Sequence, residues 1–213
     1  KNILGTFNPP KSILICPMFL DTLNRCEILS GIGEILKVHT IDGIQSFDNV
    51  ARDYNALLSD RLVLLKYIQK ALTIKKKYIE VDEYDQGVRN IFNYGHSFGH
   101  AIESATKFEI PHGIAVTIGM DMANRISAWR GTLVKGHYER MHGVLRKNYK
   151  DYLGVDIPLE LLISALKKDK KNTVENLTLI LPIGNQAAVE RVSVKADALF
   201  VSQCKRYLDE IFI

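Results

Sequence analysis

Two glycines, Gly95 and Gly99, lie one turn apart inside a stretch whose apolar spacing is otherwise helical, Arg89 through Thr106. Glycine in a helix interior costs about 1 kcal/mol relative to alanine, so keeping two there predicts a close backbone approach by a crossing helix or a bound substrate. At about 100° per residue, Arg89, Asn93, His96, His100 and Glu103 fall within an arc of roughly 80°. Ile91, Phe92, Phe98, Ala101, Ile102 and Ala105 point in other directions. The pattern predicts a buried helix carrying one wet polar seam.

Helical spacing recurs along the rest of the chain. Met18 to about Lys37 reads as two helical pieces with a bend, interrupted by Gly31 and Gly33. Asp60–Tyr78 follows, ending in Lys75-Lys76-Lys77, where cations suit a helix C-terminus. After an acidic connector at Glu80–Gly87 and the Arg89–Thr106 helix, a Pro-marked break at Ile110-Pro111-His112 precedes a helix over Gly113–Trp129. His137–Tyr149, Leu159–Lys168 and Ser193 to about Phe212 complete the helical set. Short apolar runs at Ser12–Cys16 and Leu177–Pro182 predict strands. The expected fold class is mainly α, multi-helical, with one or two short strands.

Composition removes several function classes. With 213 residues, 46% apolar and 24% charged, the chain falls in the globular range and outside disordered or collagen-like classes. Its 28 basic and 24 acidic side chains leave a scattered net charge of +4, which argues against a nucleic-acid partner. Cys16, Cys26 and Cys204 form no C-x-x-C pair, so neither a disulfide framework nor a thiolate zinc site is expected, and a reducing, cytoplasmic setting fits. No apolar run approaches the roughly 18 residues of a membrane span, and no signal-peptide pattern is present, so a soluble protein is expected. The chain opens on Lys1, without Met and in mid-pattern, which suggests further sequence upstream.

The chemistry concentrates around the polar seam. His96 and His100 have the i,i+4 spacing of paired metal ligands, and His112 follows just past the Pro break. An ordinary histidine pair is the alternative. A metalloprotease helix needs Glu directly after the first His, and Ser97 stands there. A carboxylate would complete a three-ligand site with an open position. Glu34 interrupts an apolar face and Lys37 lies one turn on, so the two either face one cavity or form a surface ion pair. Lys75-Lys76-Lys77 and Lys167-Lys168-Asp169-Lys170-Lys171 are solvated faces or sources of phosphate contacts.

The string Arg89–Glu103, followed by His112-Gly113-Ile114-Ala115-Val116-Thr117-Ile118-Gly119-Met120, resembles the signature region of 3-dehydroquinate synthase and related sugar-phosphate cyclases. That family reads N-x-G-H-[ST]-x-G-H-A-x-E and then H-G-E-A-V-x-x-G-M. Lys1–Phe7, Gly33–Lys37 and Asp169–Lys171 also match, in the family's order. The resemblance implies that Glu34, His96 and His112 hold a divalent metal, zinc first and cobalt next. It moves His100 to a catalytic role in the phosphate pocket, beside Asn93, Asn2 and Lys170 or Lys171. Lys75 and Arg89 would meet substrate hydroxyl and carboxylate groups, and Lys37 would act beside the metal.

The implied activity converts a 3-deoxy-heptulosonate 7-phosphate to 3-dehydroquinate and phosphate, a step of the shikimate pathway to aromatic amino acids. NAD would be held by an amino-terminal nucleotide domain, with residues 1–17 a hinge and strand carried over from it and 18–213 the helical metal and substrate domain. Without that half, this chain is expected to be inactive. A homodimer is implied, with no nucleic-acid or membrane partner. Ile114 in place of the Glu of H-G-E-A-V, and Asp85-Gln86 where the family often has Glu-Gly before Gly87, point toward a different sugar phosphate, as in 2-deoxy-scyllo-inosose synthase. Arg89 favours a carboxylate-bearing substrate. A metal-dependent polyol dehydrogenase and a non-catalytic metal or phosphate module are the remaining alternatives.

Overall fold

A computed structural model of the chain describes residues 11–168 and 176–212. Asn2 and Lys170 therefore lie outside the described residues, as do the Lys1–Phe7 and Asp169–Lys171 matches. The helices are α1 (Arg25–Ile41), α2 (Ile44–Arg52), α3 (Tyr54–Ser59), α4 (Arg61–Val81), α5 (His96–Ala105), α6 (His112–Trp129), α7 (Lys135–Tyr149), α8 (Leu159–Lys167) and α9 (Ala198–Phe212). One antiparallel hairpin joins β1 (Asn176–Ile183) to β2 (Ala188–Lys195), in register from Asn176↔Lys195 to Ile183↔Ala188. The mainly α expectation with two short strands matches this architecture.

α6 is the axis of the core. It is buried without a break from Gly113 to Asn124, and a helix that is apolar on nearly every side belongs inside. α1, α5 and α7 pack around it, with β1 and α9 behind. Several of its polar side chains pair with other elements, whereas Ser127 Oγ has no hydrogen-bond partner among the described residues. Asp121 accepts from the hydroxyls of Tyr149 at 2.7 Å and Tyr207 at 2.9 Å and from His142 Nδ1 at 3.0 Å. Asn148 Nδ2 donates to Thr117 Oγ1 at 3.0 Å, while Tyr54 donates to Asn148 Oδ1 at 3.0 Å. Tyr94 donates to Asn124 Oδ1. Buried polar groups need such partners, and these tie α6 to α7, α9, α3 and the segment before α5.

Where α6 meets α1 and α5, the backbones touch. A Cβ added at Gly113 would stand 1.9 Å from Ser30 O, and one at Gly33 would stand 2.2 Å from Gly113 O. A Cβ at Gly119 would stand 2.2 Å from Gly95 O, and one at Gly99 would be 3.0 Å from Val116 Cα. The close approach expected at Gly95 and Gly99 is thus that of a crossing helix.

The structure corrects several element boundaries. Arg89–Thr106 is not one helix: a 3-10 segment, Val88–Asn93, ends before Gly95, whose φ of +75° breaks the chain ahead of α5. The five-residue polar seam is broken with it, and His96, His100 and Glu103 alone share α5. The bend in 18–37 falls at Leu23 and Asn24, between a 3-10 turn (Pro17–Thr22) and α1, while Gly31 and Gly33 stay inside a continuous helix. Asn24 starts α1 with a capping box, accepting from Glu27 N at 3.0 Å and donating to Glu27 Oε2 at 2.9 Å.

Ser12–Cys16 forms no strand. Ile13 and Leu14 are 75% and 97% exposed, and no strand among the described residues offers the partner groups a strand requires. Ser193 begins no helix either. Ser193–Lys195 belong to β2, and α9 starts after Asp197, whose Oδ1 accepts from Phe200 N at 2.9 Å. α2 and α3 have no counterpart in the expected helices. No helix of the described residues is long and apolar enough to cross a membrane.

Two outcomes test this packing. Gly113→Ala is expected to destabilise the fold by at least about 3 kcal/mol, because backbone must move to admit the methyl. Gly143→Ala, in α7 with nothing within 4 Å of the new Cβ, is expected to stabilise by about 0.5–1 kcal/mol. Urea denaturation of the two variants separates them. The second test concerns His39, 2% exposed, whose Nδ1 donates to Ile35 O at 2.8 Å and whose pKa is held below the ordinary 6.5, chiefly by burial. The unfolded chain takes up a proton below that pH which the folded chain refuses, so stability falls as the solution is acidified. His39→Leu should flatten the slope by up to one proton, about 1.4 kcal/mol per pH unit, read from urea midpoints between pH 7.5 and 5.5.

Candidate metal centre

Three of the crossing glycines set a chemically useful side chain beside them. Glu34 follows Gly33 on α1, His96 follows Gly95 as the first residue of α5, and His112 precedes Gly113 as the first residue of α6. Glu34 Oε1 lies 3.7 Å from His96 Nε2 and 3.6 Å from His112 Nε2. Its other oxygen, Oε2, accepts from Lys37 Nζ at 2.8 Å. Lys37 is 5% exposed, so this is a buried partnership and not a solvated i,i+3 pair.

The protonation states follow from the partners. His96 Nδ1 is 3.3 Å from the carbonyl of Tyr94, and His112 Nδ1 is 3.0 Å from Glu103 Oε2. Both acceptors require a proton on Nδ1, so in the neutral form of each ring the lone pair lies on Nε2. Burial, with the Lys37 ammonium next, pulls the His96 pKa down to about 3, so this imidazole is neutral at pH 7. Burial on its own would raise the Glu34 carboxyl, but the Lys37 charge and hydrogen bond, aided by the histidines, hold it below the usual range. Burial likewise lowers the Lys37 ammonium, against the pull of Glu34.

With both imidazoles neutral, three electron-pair donors face one another at this point. Glu34 Oε1 is buried and has no hydrogen-bond partner among the described residues. A tetrahedral ion with bonds of 2.0–2.1 Å separates its ligand atoms by roughly 3.3 Å. The observed 3.6 and 3.7 Å are close to that spacing, and a cation is the species that relieves the mutual repulsion. The donor set thus fits a divalent metal. His100 stands one turn along α5, exposed, with its ring 5.3 Å from that of His96 and 5.5 Å from that of His112. Nitrogens of the three histidines lie within 4.8 Å of one another. The orphaned Glu34 oxygen distinguishes Glu34 with His96 and His112 from the three-histidine set.

The remaining expected residues divide. Lys75 is exposed on α4 and lines, with Glu34, a cavity of about 220 Å³ between α1 and α4, otherwise walled by Ile28, Ile35, Leu64 and Ile68. Its charge also reaches Lys37. Arg89 is half-buried and fastened to the turn before it: its N–H donates to Asp82 Oδ2 at 3.0 Å and its Nη1 to Asp82 O at 3.0 Å. Asn93 Nδ2 donates to Asn90 O at 3.1 Å. Two contributors escaped the sequence reading. Tyr94 orients His96 through its carbonyl, and Glu103, seen only as a member of the polar seam, is the partner of His112.

Known proteins resemble this chain over most of its length. The family profile described as "3-dehydroquinate synthase C-terminal" matches residues 31–172. The 3-dehydroquinate synthase of Thermoanaerobacter sp. (strain X514) is 34% identical over 201 residues, covering 93% of this chain and 56% of that protein. That of Alkaliphilus metalliredigens (strain QYMF) is 36% identical over 186 residues, covering 86% and 52%. The chain thus spans about half the length of these relatives. Among solved structures, ValA, a 2-epi-5-epi-valiolone synthase from Streptomyces hygroscopicus subsp. jinggangensis 5008 with NAD+ and Zn2+ bound, superimposes with a TM-score of 0.76 at 24% identity, covering 99% of this chain and 58% of that one. A 2-deoxy-scyllo-inosose synthase complexed with carbaglucose-6-phosphate, NAD+ and Co2+ gives 0.75 at 20% identity, covering 98% and 59%. These two share the fold. With the profile spanning most of the chain and the glycine-flanked donors inside it, the chain belongs to the 3-dehydroquinate synthase C-terminal family.

Proposed function

We propose that this chain is the metal- and substrate-binding part of a sugar-phosphate cyclase that converts a 3-deoxy-heptulosonate 7-phosphate to 3-dehydroquinate with release of phosphate. The observation that supports it is the unpartnered Glu34 Oε1 facing two imidazole lone pairs, in a chain of this family. Glu34, His96 and His112 hold the ion, zinc by preference, and cobalt suits the same donors. When bound, the ion stabilises negative charge developing on a substrate oxygen, and NAD, held by sequence outside this chain, takes up and returns hydride.

The chain's own groups then have separable tasks. Lys37 confines Glu34 to a single free oxygen and carries positive charge beside the reacting centre. His100, exposed next to the other two imidazoles, moves protons at the substrate. Lys75 reaches substrate hydroxyls from α4. Arg89 spends Nη1 on the 82–83 turn and keeps its Nε and Nη2 edge for a bidentate grip on a carboxylate. Asn93 contributes to the phosphate pocket. The exposed apolar run Ile13-Leu14-Ile15 is the hinge onto a nucleotide-binding half, so the chain by itself does not turn over. The whole enzyme works as a homodimer in the cytoplasm.

The test is phosphate release by the full-length protein with NAD and zinc, offered the heptulosonate phosphate or glucose 6-phosphate. Release from the first alone is expected. His96→Ala should lower it by more than about 100-fold, in line with the several kcal/mol that a metal's charge supplies. Release from glucose 6-phosphate alone would assign the protein to the aminocyclitol-forming cyclases, and oxidation without phosphate release would assign it to polyol dehydrogenases.

A further inference from the structure

Among the described residues near the ion site, the two histidine ligands are held by unlike partners. His96 leans on a backbone carbonyl at 3.3 Å, a long and neutral contact. His112 instead meets a carboxylate at 3.0 Å, and that carboxylate belongs to Glu103, 5% exposed on the far turn of α5. A buried carboxylate is costly unless it serves a partner. The chain goes to some length to make this pair, since the turn between α5 and α6 includes Lys107 and Phe108 at φ of +52° and +65°. Non-glycine residues rarely adopt that conformation, which here brings the end of α5 back against the start of α6.

We propose that Glu103 is a positioning residue for the metal site. Its carboxylate accepts the Nδ1 proton of His112 and so fixes the tautomer in which the Nε2 lone pair faces Glu34 Oε1. The negative charge behind the ring also raises the donor strength of Nε2, making His112 the stronger of the two imidazole ligands. The inference rests on the metal reading given above, and the two can fail separately.

The experiment uses the full-length protein in wild-type form and as Glu103→Gln, Glu103→Ala and His96→Ala, each shown by circular dichroism to be folded. Zinc affinity is measured by competition with a chromophoric chelator. The imidazole tautomer of His112 is read from long-range proton–nitrogen correlation spectra of the chelator-treated protein. The wild type is expected to show the Nδ1–H form. Glu103→Gln, which keeps a neutral acceptor of the same shape, should weaken zinc binding about 10-fold and Glu103→Ala about 100-fold, the range measured for such partners. Glu103→Ala should also lose the single tautomer, which a general loosening of the fold would not do.

Zinc affinities of both Glu103 variants equal to wild type would overturn the proposal, as would a wild-type His112 already in the Nε2–H form. Should Glu103→Ala fail to fold, the Gln affinity and the wild-type tautomer still decide the matter. Zinc binding unchanged in His96→Ala would sink the metal reading itself, and the assignment of Glu103 with it.

Discussion

Contact of backbone on backbone at the α6 crossings is the constraint on which the rest depends. Ser30 O and Gly113, Gly113 O and Gly33, and Gly95 O and Gly119 approach so closely that a single methyl would overlap them. Helices with ordinary side chains at the contact sit 8–10 Å apart. Removing those side chains draws the axes together, and the residues flanking the contact are drawn together with them. Glu34, His96 and His112 are those residues. Three donors remote in sequence meet because their neighbours have nothing to hold them apart, and interiors this dense do not flex enough to separate them again.

The electrostatics of the site follow from this enclosure. Lys37 is buried and the partly exposed Glu34 reaches in to it, so the ammonium would be costly there without this carboxylate. Because Lys37 takes Oε2, Glu34 offers an ion one oxygen only, which leaves coordination positions open instead of closing them with a bidentate carboxylate. Each neutral imidazole presents its lone pair at Nε2 because the Nδ1 proton is engaged, one by Tyr94 O and the other by Glu103. An ion entering the site would meet three prepared donors and displace no proton from His96, which burial keeps neutral.

What the sequence disclosed, and what it hid, divides along the range of the interactions. The penalty of Gly95 and Gly99 announced a close backbone approach, by a helix or a substrate, and the spacing of α4, α6, α7 and α8 was legible from local periodicity. The break at Gly95 was not, because a glycine at positive φ leaves the flanking residues in helical register on a wheel while turning the chain in space. Ser12–Cys16 has the composition of a strand, but a strand exists only through a partner, and none stands beside it among the described residues. β2 was hidden by the same rule in reverse: Val192 and Val194 continue smoothly into the α9 pattern, and only pairing with Leu179 and Leu177 makes them extended. His96, His100 and His112 were visible as a cluster from spacing. Glu34 stood out as a carboxylate interrupting an apolar face, and the family resemblance then implied it as a ligand, whereas Glu103 depended on the α5–α6 turn, which has no periodic signature.

The core behind the site also decides which of its parts are rigid. Tyr94 anchors its hydroxyl on Asn124 and turns its carbonyl to His96, so the direction of that ligand is inherited from the centre of α6. Asp121 and Thr117 lock the same helix to α7 and α9 through groups with almost no exposure. The donors of the ion site therefore stand on elements that cannot shift without breaking buried hydrogen bonds. Lys75, Arg89 and Asn93 are placed differently, on the exposed side of α4 and on the short 3-10 segment before Gly95. Side chains at those positions can change in length or charge at little expense to the core. On the function proposed above, a fold built this way would separate the elements that hold the ion from the surface that meets the substrate, so that side chains on that surface could vary without disturbing the ion site.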